Sequence, residues 1–232
     1  MPTSTHLFDA WAPVYDTQPN PLLHLEDRTL PPLLPPLPHT RILDVGCGTG
    51  RWLRRFEHQH PASLTGIDPS PAMLRHARAR LAPTTHLQQG EASALPGQPA
   101  STHLILASFV LSYLADLDTF ARECARILRP HAHLLLTDMH PVTAQARRWT
   151  RSFRTPDPHS PGTHLEITPH TRSLPTILET FQQHRFHIAA LLEPAFALPE
   201  RPLFAATGKL ANFDSLQHLP ALYLLKLQLG TP

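Results

Sequence analysis

Leu43 to Gly50 reads LDVGCGTG, and this stretch decides the fold. Arg41 to Gly46, RILDVG, is a short apolar run closed by glycine, the pattern of a strand buried in a parallel sheet. Gly46, Gly48 and Gly50 follow at alternate positions. Glycines there let the backbone turn tightly and let a ligand approach it closely. Arg51 to His60 then carries Trp52, Leu53 and Phe56 at helical spacing. A strand, a glycine turn and a helix begin a βαβ unit, and ligands of such folds sit beyond the carboxyl ends of the strands.

The next strand, SLTGID (Ser63 to Asp68), ends on an acid about 20 residues beyond the turn, where a carboxylate can accept hydrogen bonds from both ribose hydroxyls of a nucleoside. The glycine spacing is not the GxGxxG of a dinucleotide site, which seats a pyrophosphate on the helix N-terminus. Asp44, just before the turn, would repel a pyrophosphate and attract an ammonium group. An adenosine-bearing ligand with a cationic tail fits both acids, and S-adenosylmethionine (SAM) has ammonium and sulfonium groups.

Outward from this unit, strands and helices alternate. Ser70 reads as an N-cap and Pro71 as a first helical residue, with Pro83 stopping that helix. Thr85 to Gln89 reads as a third strand and Thr102 to Ser108 as a fourth. Asp118 to Leu128 reads as an amphipathic helix, and HAHLLLTDMH (His131 to His140) as a fifth strand. Leu174 to His184 has a helical pattern, and Phe186 to Leu192 and Leu203 to Leu210 are expected as the last two strands. The fold class is α/β: a Rossmann-like, doubly wound, seven-stranded, mostly parallel sheet with helices on both faces. One domain is expected over 1–210. It has an N-terminal helical cap at 1–38, an insertion or lid at 150–172 and a C-terminal tail at 211–232. PPLLPPLPH (Pro31 to His39) reads as the link from cap to first strand.

With 41% hydrophobic residues, the 232-residue chain can bury a sizeable core. Its 20 basic and 18 acidic residues give a formal charge of +2, too even to argue for a nucleic-acid partner. The arginines of RWLRRF and RHARAR read as solvated helix faces. Cys47 and Cys124 read as reduced thiols, and no signal peptide or membrane-length apolar run is legible, so a cytoplasmic protein is expected. The spaced histidine pairs, such as His131 with His133, lack the cysteine or acidic partners of a zinc site, so no metal is expected.

LDVGCGTG, GIDPSPAML, GEASALP, LILASFVLSYL and ARILRPHAHLLLTDMHP, in this order, resemble the class I SAM-dependent methyltransferases, and specifically their small-molecule branch. FDAWAPVYD (Phe8 to Asp16) is similar to the helix that many members fold over the cofactor. The resemblance implies that Asp44 helps hold the methionine ammonium, with Gly46, Cys47 and Gly48 at the turn. It gives Asp68 to the ribose, Pro69 and Met73 to the adenine faces, and Glu91 and Ala92 to the adenine edge. Ser108 is expected near the sulfonium, and Tyr15 closes the site. It also implies an antiparallel final strand inside the sheet. An oxygen or carbon acceptor needs a base; His140, just past the fifth strand, is the first candidate, with Asp138 and Tyr113 behind it. The expected reaction moves a methyl group from SAM to O, N or C of a small-molecule acceptor, leaving S-adenosylhomocysteine (SAH), in a monomer or homodimer. A methyltransferase of RNA or protein, and a non-catalytic SAM-binding protein, are the alternatives.

Overall fold

The computed structural model describes residues 4–146, 153–156, 164–167 and 169–231. Two helices, α1 (Ser4–Trp11) and α2 (Pro21–Thr29), precede β1 (Arg41–Val45), α3 (Arg51–Glu57), β2 (Ser63–Asp68), α4 (Pro71–Arg78), β3 (His86–Gln89), β4 (Thr102–Ser108), α5 (Leu117–Ile127) and β5 (Leu128–Met139). Then come α6 (Pro141–Ala146), β6 (Phe153–Pro156), β7 (His164–Ile167), α7 (Leu174–Gln183), β8 (Phe186–Leu192), α8 (Arg201–Ala206), α9 (Leu210–Leu216) and β9 (Leu222–Leu229).

Seven strands form one sheet in the order β3-β2-β1-β4-β5-β9-β8. The pairs from β3 to β5 are parallel, and β9 lies antiparallel between β5 and β8. This is the expected α/β sheet with its final strand inside. The order of strand addition reverses at β1, with β2 and β3 on one side and β4 and β5 on the other, all parallel. The crossovers therefore leave a crevice at the carboxyl edge there.

Local chemistry starts the helices where the sequence indicates. Asn20 caps α2, its Oδ1 accepting from the N–H groups of Leu22 and Leu23 at 3.0 and 3.3 Å, with Pro21 as first residue. Ser70 caps α4 by accepting from the Met73 N–H at 3.1 Å. Each face of the sheet buries its own core. On one, Phe120, Ile127, Phe181 and Phe186 of α5, α7 and β8 cover β4 and β5. On the other, Leu25, Trp52, Phe56, Phe204, Phe213 and Leu216 bring α2, α3, α8 and α9 together.

Two expectations are corrected. Leu203 to Leu210 is not a strand: Arg201–Ala206 is helical with Pro202 in its first turn, and Gly208, at φ +67°, ends the turn before α9. Nor is 211–232 a tail. It holds most of α9 and all of β9, whose LYLLKLQL is buried between two strands and completes the sheet. Within the expected 150–172 insertion, residues 150–152, 157–163 and 168 lie outside the described residues, as do 1–3 of the cap. Phe153–Pro156 and His164–Ile167 pair as an antiparallel ribbon beside α1.

Candidate active site

The carboxyl ends of β3, β2, β1, β4 and β5 open into one cleft of ≈ 680 Å³. Five neighbouring strands at ~4.8 Å spacing make this edge about 19 Å long. Gly90 and Glu91 lie at the β3 end, Asp68 and Pro69 after β2, and Gly46 and Gly48 after β1. Ser108 to Val110 follow β4, with Asp138 and Met139 at β5. Phe8, Trp11 and Tyr15 form the roof.

The glycine turn is built for close approach. Gly46 and Gly48 have φ of +66° and +55°, and a Cβ at Gly48 would meet no protein atom within 4 Å. A Cβ at Gly46 would stand 2.5 Å from Val110 Cγ2. Asp68 braces the turn: its Oδ2 accepts from the Gly48 N–H and its Oδ1 from the Ser70 N–H, both at 2.8 Å. Burial nevertheless raises its pKa to about 6, against the pull of those two N–H donors.

Asp44, only 2% exposed, is not among the residues that line the cleft, although Val45 and Gly46 beside it are, and its carboxylate accepts no hydrogen bond among the described residues. Burial pushes its carboxyl well above the ordinary range; Arg51 opposes this, and Glu26 and Asp68 add to it. A buried acid with no donor is stabilised by a nearby cation, as an incoming ammonium group would be.

The roof is pinned by acids that the sequence did not single out. Asp9 Oδ1 accepts from Ser70 Oγ at 2.6 Å and from the Ala72 N–H at 3.0 Å, tying α1 to the start of α4. Asp16 Oδ1 accepts from Thr49 Oγ1 at 2.8 Å, tying the following turn to the glycine loop. The rings of Phe8 and Tyr113 meet edge to face at 5.1 Å, and those of Trp11 and Tyr15 at 4.7 Å. Burial raises Tyr15 to about 12 and Tyr113 upward as well, so both stay neutral phenols at pH 7.

Glu26 is the largest omission. This fully buried residue of α2 accepts from Ser108 Oγ (2.7 Å), Trp52 Nε1 (3.2 Å), Thr137 Oγ1 and the Arg51 guanidinium. Arg51 also donates to Asp27, and to Ser108 Oγ at 3.1 Å. In sequence, LEDR reads as a solvated turn of helix; only the fold reveals that β4, β5 and α3 converge on it. Phe109 was missed too: it takes a left-handed φ of +55° at the cleft, strained for a bulky residue.

Of the expected site residues, the cleft brings together Tyr15, Gly46, Gly48, Asp68, Pro69, Met73, Glu91, Ala92, Ser108, Tyr113 and Asp138. Cys47 is not among them. Its thiol packs with Leu53 in the core, 2.8 Å from where a Cβ of Gly66 would lie, and burial raises its pKa. His140 also stands apart. Strand β5 has ended, the His140 N–H donates to the Ala221 carbonyl at 2.9 Å, and the ring turns away to place Nε2 2.8 Å from Glu193 Oε1. Asp138 faces the cleft instead. Its oxygens accept from the Ser112 N–H at 2.9 Å, Ser112 Oγ at 3.3 Å and the Met139 N–H at 2.8 Å, and burial raises it to about 6. Among the described residues, no helix is long and apolar enough to cross a membrane.

Residues 42–131 match the family model for a methyltransferase domain. The chain is 33% identical over 104 residues to the trans-aconitate 2-methyltransferase of Deinococcus radiodurans, covering 44% of this chain and 39% of that protein. It is 31% identical over 170 residues to an uncharacterised methyltransferase of Emericella nidulans, covering 57% and 59%. The chain thus spans less than two thirds of the length of either relative. The solved structure of a SAM-dependent methyltransferase from Mesorhizobium loti superposes with a TM-score of 0.67 at 22% identity, over 88% of this chain and 97% of that one. Residues 42–131 thus resemble a methyltransferase domain, and the fold is the one seen in solved SAM-dependent methyltransferases.

The residues present fit SAM. The Asp44 carboxyl, without a donor among the described residues, suits its ammonium, the open side of Gly48 admits a ligand close to the backbone, and Asp68 offers the cleft a carboxylate able to accept from hydroxyls.

Proposed function

We propose that the chain transfers the methyl group of SAM to an oxygen, nitrogen or carbon atom of a small-molecule acceptor bound at the β4–β5 end of the cleft. The observation that carries this reading is the extent of the cleft. It continues past the Asp68 and Gly46 segments to a second buried carboxylate, Asp138, flanked by Tyr113.

When bound, SAM supplies an activated methyl on sulfur, whose departure leaves neutral SAH. The protein's work is alignment and exclusion of water. Asp68 holds the ribose, Pro69 and Met73 the adenine faces, and Glu91 and Ala92 its edge. Asp44 attracts the ammonium, and Ser108, fixed by Glu26 and Arg51, faces the sulfonium. Phe8, Trp11 and Tyr15 close the roof. On the acceptor side Asp138 is the base. It is ionised above about pH 6, and its three donors hold it in place as it takes the proton of an O–H, N–H or C–H nucleophile. Tyr113, held neutral, donates a hydrogen bond to the same acceptor. The described part of the cleft has the dimensions of a small-molecule site. The acceptor of the Deinococcus relative, named for trans-aconitate, belongs to that class.

Titration calorimetry tests the reading. Wild type is expected to bind SAM and SAH, and Asp68→Ala to bind both at least tenfold more weakly, the loss of one charge-assisted contact. Absence of binding at high micromolar ligand, or unchanged binding after the substitution, overturns it.

A further inference from the structure

The described side chains that line the cleft include three carboxylates, Asp68, Glu91 and Asp138, and a single cation, Lys209. Its surroundings are distinctive. Lys209 follows Gly208 in the turn between α8 and α9, and that turn is held rigidly. The Lys209 N–H donates to the Phe204 carbonyl at 2.8 Å, and the Lys209 carbonyl accepts from the Asn212 N–H at 2.9 Å. Phe204, Phe213 and Leu216 bury the flanking helices in the core. The backbone is therefore fixed while the side chain stays exposed, with no acid paired to it among the described residues. The wall at this side also carries Asn20, whose Oδ1 is committed to the α2 N–H groups, leaving its amide N–H₂ as a donor toward the cleft. Phe109, Leu22 and Leu23 supply apolar surface beside them.

The strand ends assigned to adenosine belong to β2 and β3, whereas Lys209 comes from the turn between α8 and α9, helices that pack with α2 beside Asn20, Leu22 and Leu23. An unpaired ammonium on an apolar cleft wall, opposite carboxylates, selects a ligand with a negative group. Resting on the methyltransferase reading above, we propose that the acceptor is an anion: its carboxylate or phosphate pairs with Lys209 and Asn20, and its nucleophilic atom reaches Asp138. The anion serves recognition; the bond that breaks is still S–CH₃, and the proton still passes to Asp138.

The test uses matched probes: hydroxy, amino and enol acids, the corresponding phosphates, and the neutral amides of the same acids, with SAH release as readout. For the wild type, the anionic member of each turned-over pair is expected to exceed its neutral partner about tenfold in kcat/KM, the value of one charge-assisted contact. Carboxylate and phosphate arms identify which anion is preferred. Lys209→Met is expected to erase the difference, Lys209→Arg to restore most of it, and both to leave the dissociation constant of SAM unchanged. Three results overturn the proposal: neutral partners that work equally well; a Lys209→Met variant that slows both members alike; or one that weakens SAM binding, which would give the lysine to the cofactor's own carboxylate. If no probe is turned over, saturation-transfer NMR of the same acids on the SAH-loaded protein decides. Binding lost in Lys209→Met supports the proposal, and binding that is absent or insensitive to the variant overturns it. Failure of the wild type to bind SAM at all refutes the methyltransferase reading instead.

Discussion

Replacing Glu26 with glutamine removes a charge but little volume from the centre of the molecule. In the wild type, one carboxylate oxygen accepts from the Ser108 and Thr137 hydroxyls and the other from Arg51 and Trp52. A glutamine amide satisfies this set only if its N–H₂ faces the two hydroxyls, which can rotate to accept. The Arg51 guanidinium, 20% exposed, then keeps Asp27 and an amide oxygen as acceptor but loses its buried counter-charge. Breaking a buried pair from one side costs about 3–5 kcal/mol. With Asp27 retained, the lower end, about 3 kcal/mol, is expected. For a chain of this size that lowers Tm by about 6–12 °C. Urea unfolding of wild type and variant at equal m-value is the assay, with Glu26→Gln/Arg51→Met as the control, since the double variant leaves no uncompensated buried cation. A single-variant loss below about 1 kcal/mol, in the range of exposed ion pairs, would refute the reasoning, as would a double variant that is merely the sum of the singles.

Further expectations concern the site. Asp138→Asn should lower kcat about 10²–10⁴-fold, the contribution of a general base, while SAM still binds. In the wild type, kcat should fall as pH drops through about 6, because only the ionised carboxylate accepts a proton; a flat profile between pH 5 and 8 rules Asp138 out. Asp68, also raised to about 6, must be ionised to accept from both ribose hydroxyls. SAM affinity measured by calorimetry should therefore weaken about tenfold from pH 7 to pH 5. His140→Gln should leave turnover and SAM binding unchanged while lowering unfolding free energy by about 1–2 kcal/mol, since the ring is buried away from the cleft. Gly46→Ala places a Cβ against Val110 at a left-handed φ. Strain alone should cost about 1–2 kcal/mol in a thermal melt.

The parallel half of the sheet was legible because β1, β2 and β4 are short, largely apolar runs and a cap or a proline marks α4 nearby, although β3 is the polar HLQQ. LDVGCGTG, Asp68 and Ser70 carry their meaning within a few residues. The antiparallel half was not. LYLLKLQL is covered on both faces, so it lacks the alternation that separates a strand from a buried helix. LFAATGKL is comparably apolar, yet Pro202 and Gly208 bracket a helix that ends within it. The choice between His140 and Asp138 turned on where β5 stops. One residue past Met139, the backbone turns to Ala221 and carries the imidazole away. Glu26 and Lys209 were invisible for a different reason. Their roles depend on segments far apart in sequence, and a lone acid or lysine on a short helix or turn has no local signature.

The most direct measurement is a crystal structure of the protein with SAH. The ribose hydroxyls are predicted on Asp68, the adenine between Pro69 and Met73, the amino group above Asp44 and the sulfur facing Ser108, with open space beyond it toward Asp138. An SAH molecule bound outside this cleft, or lying with its adenine toward β5, would contradict both the cofactor assignment and the acceptor side.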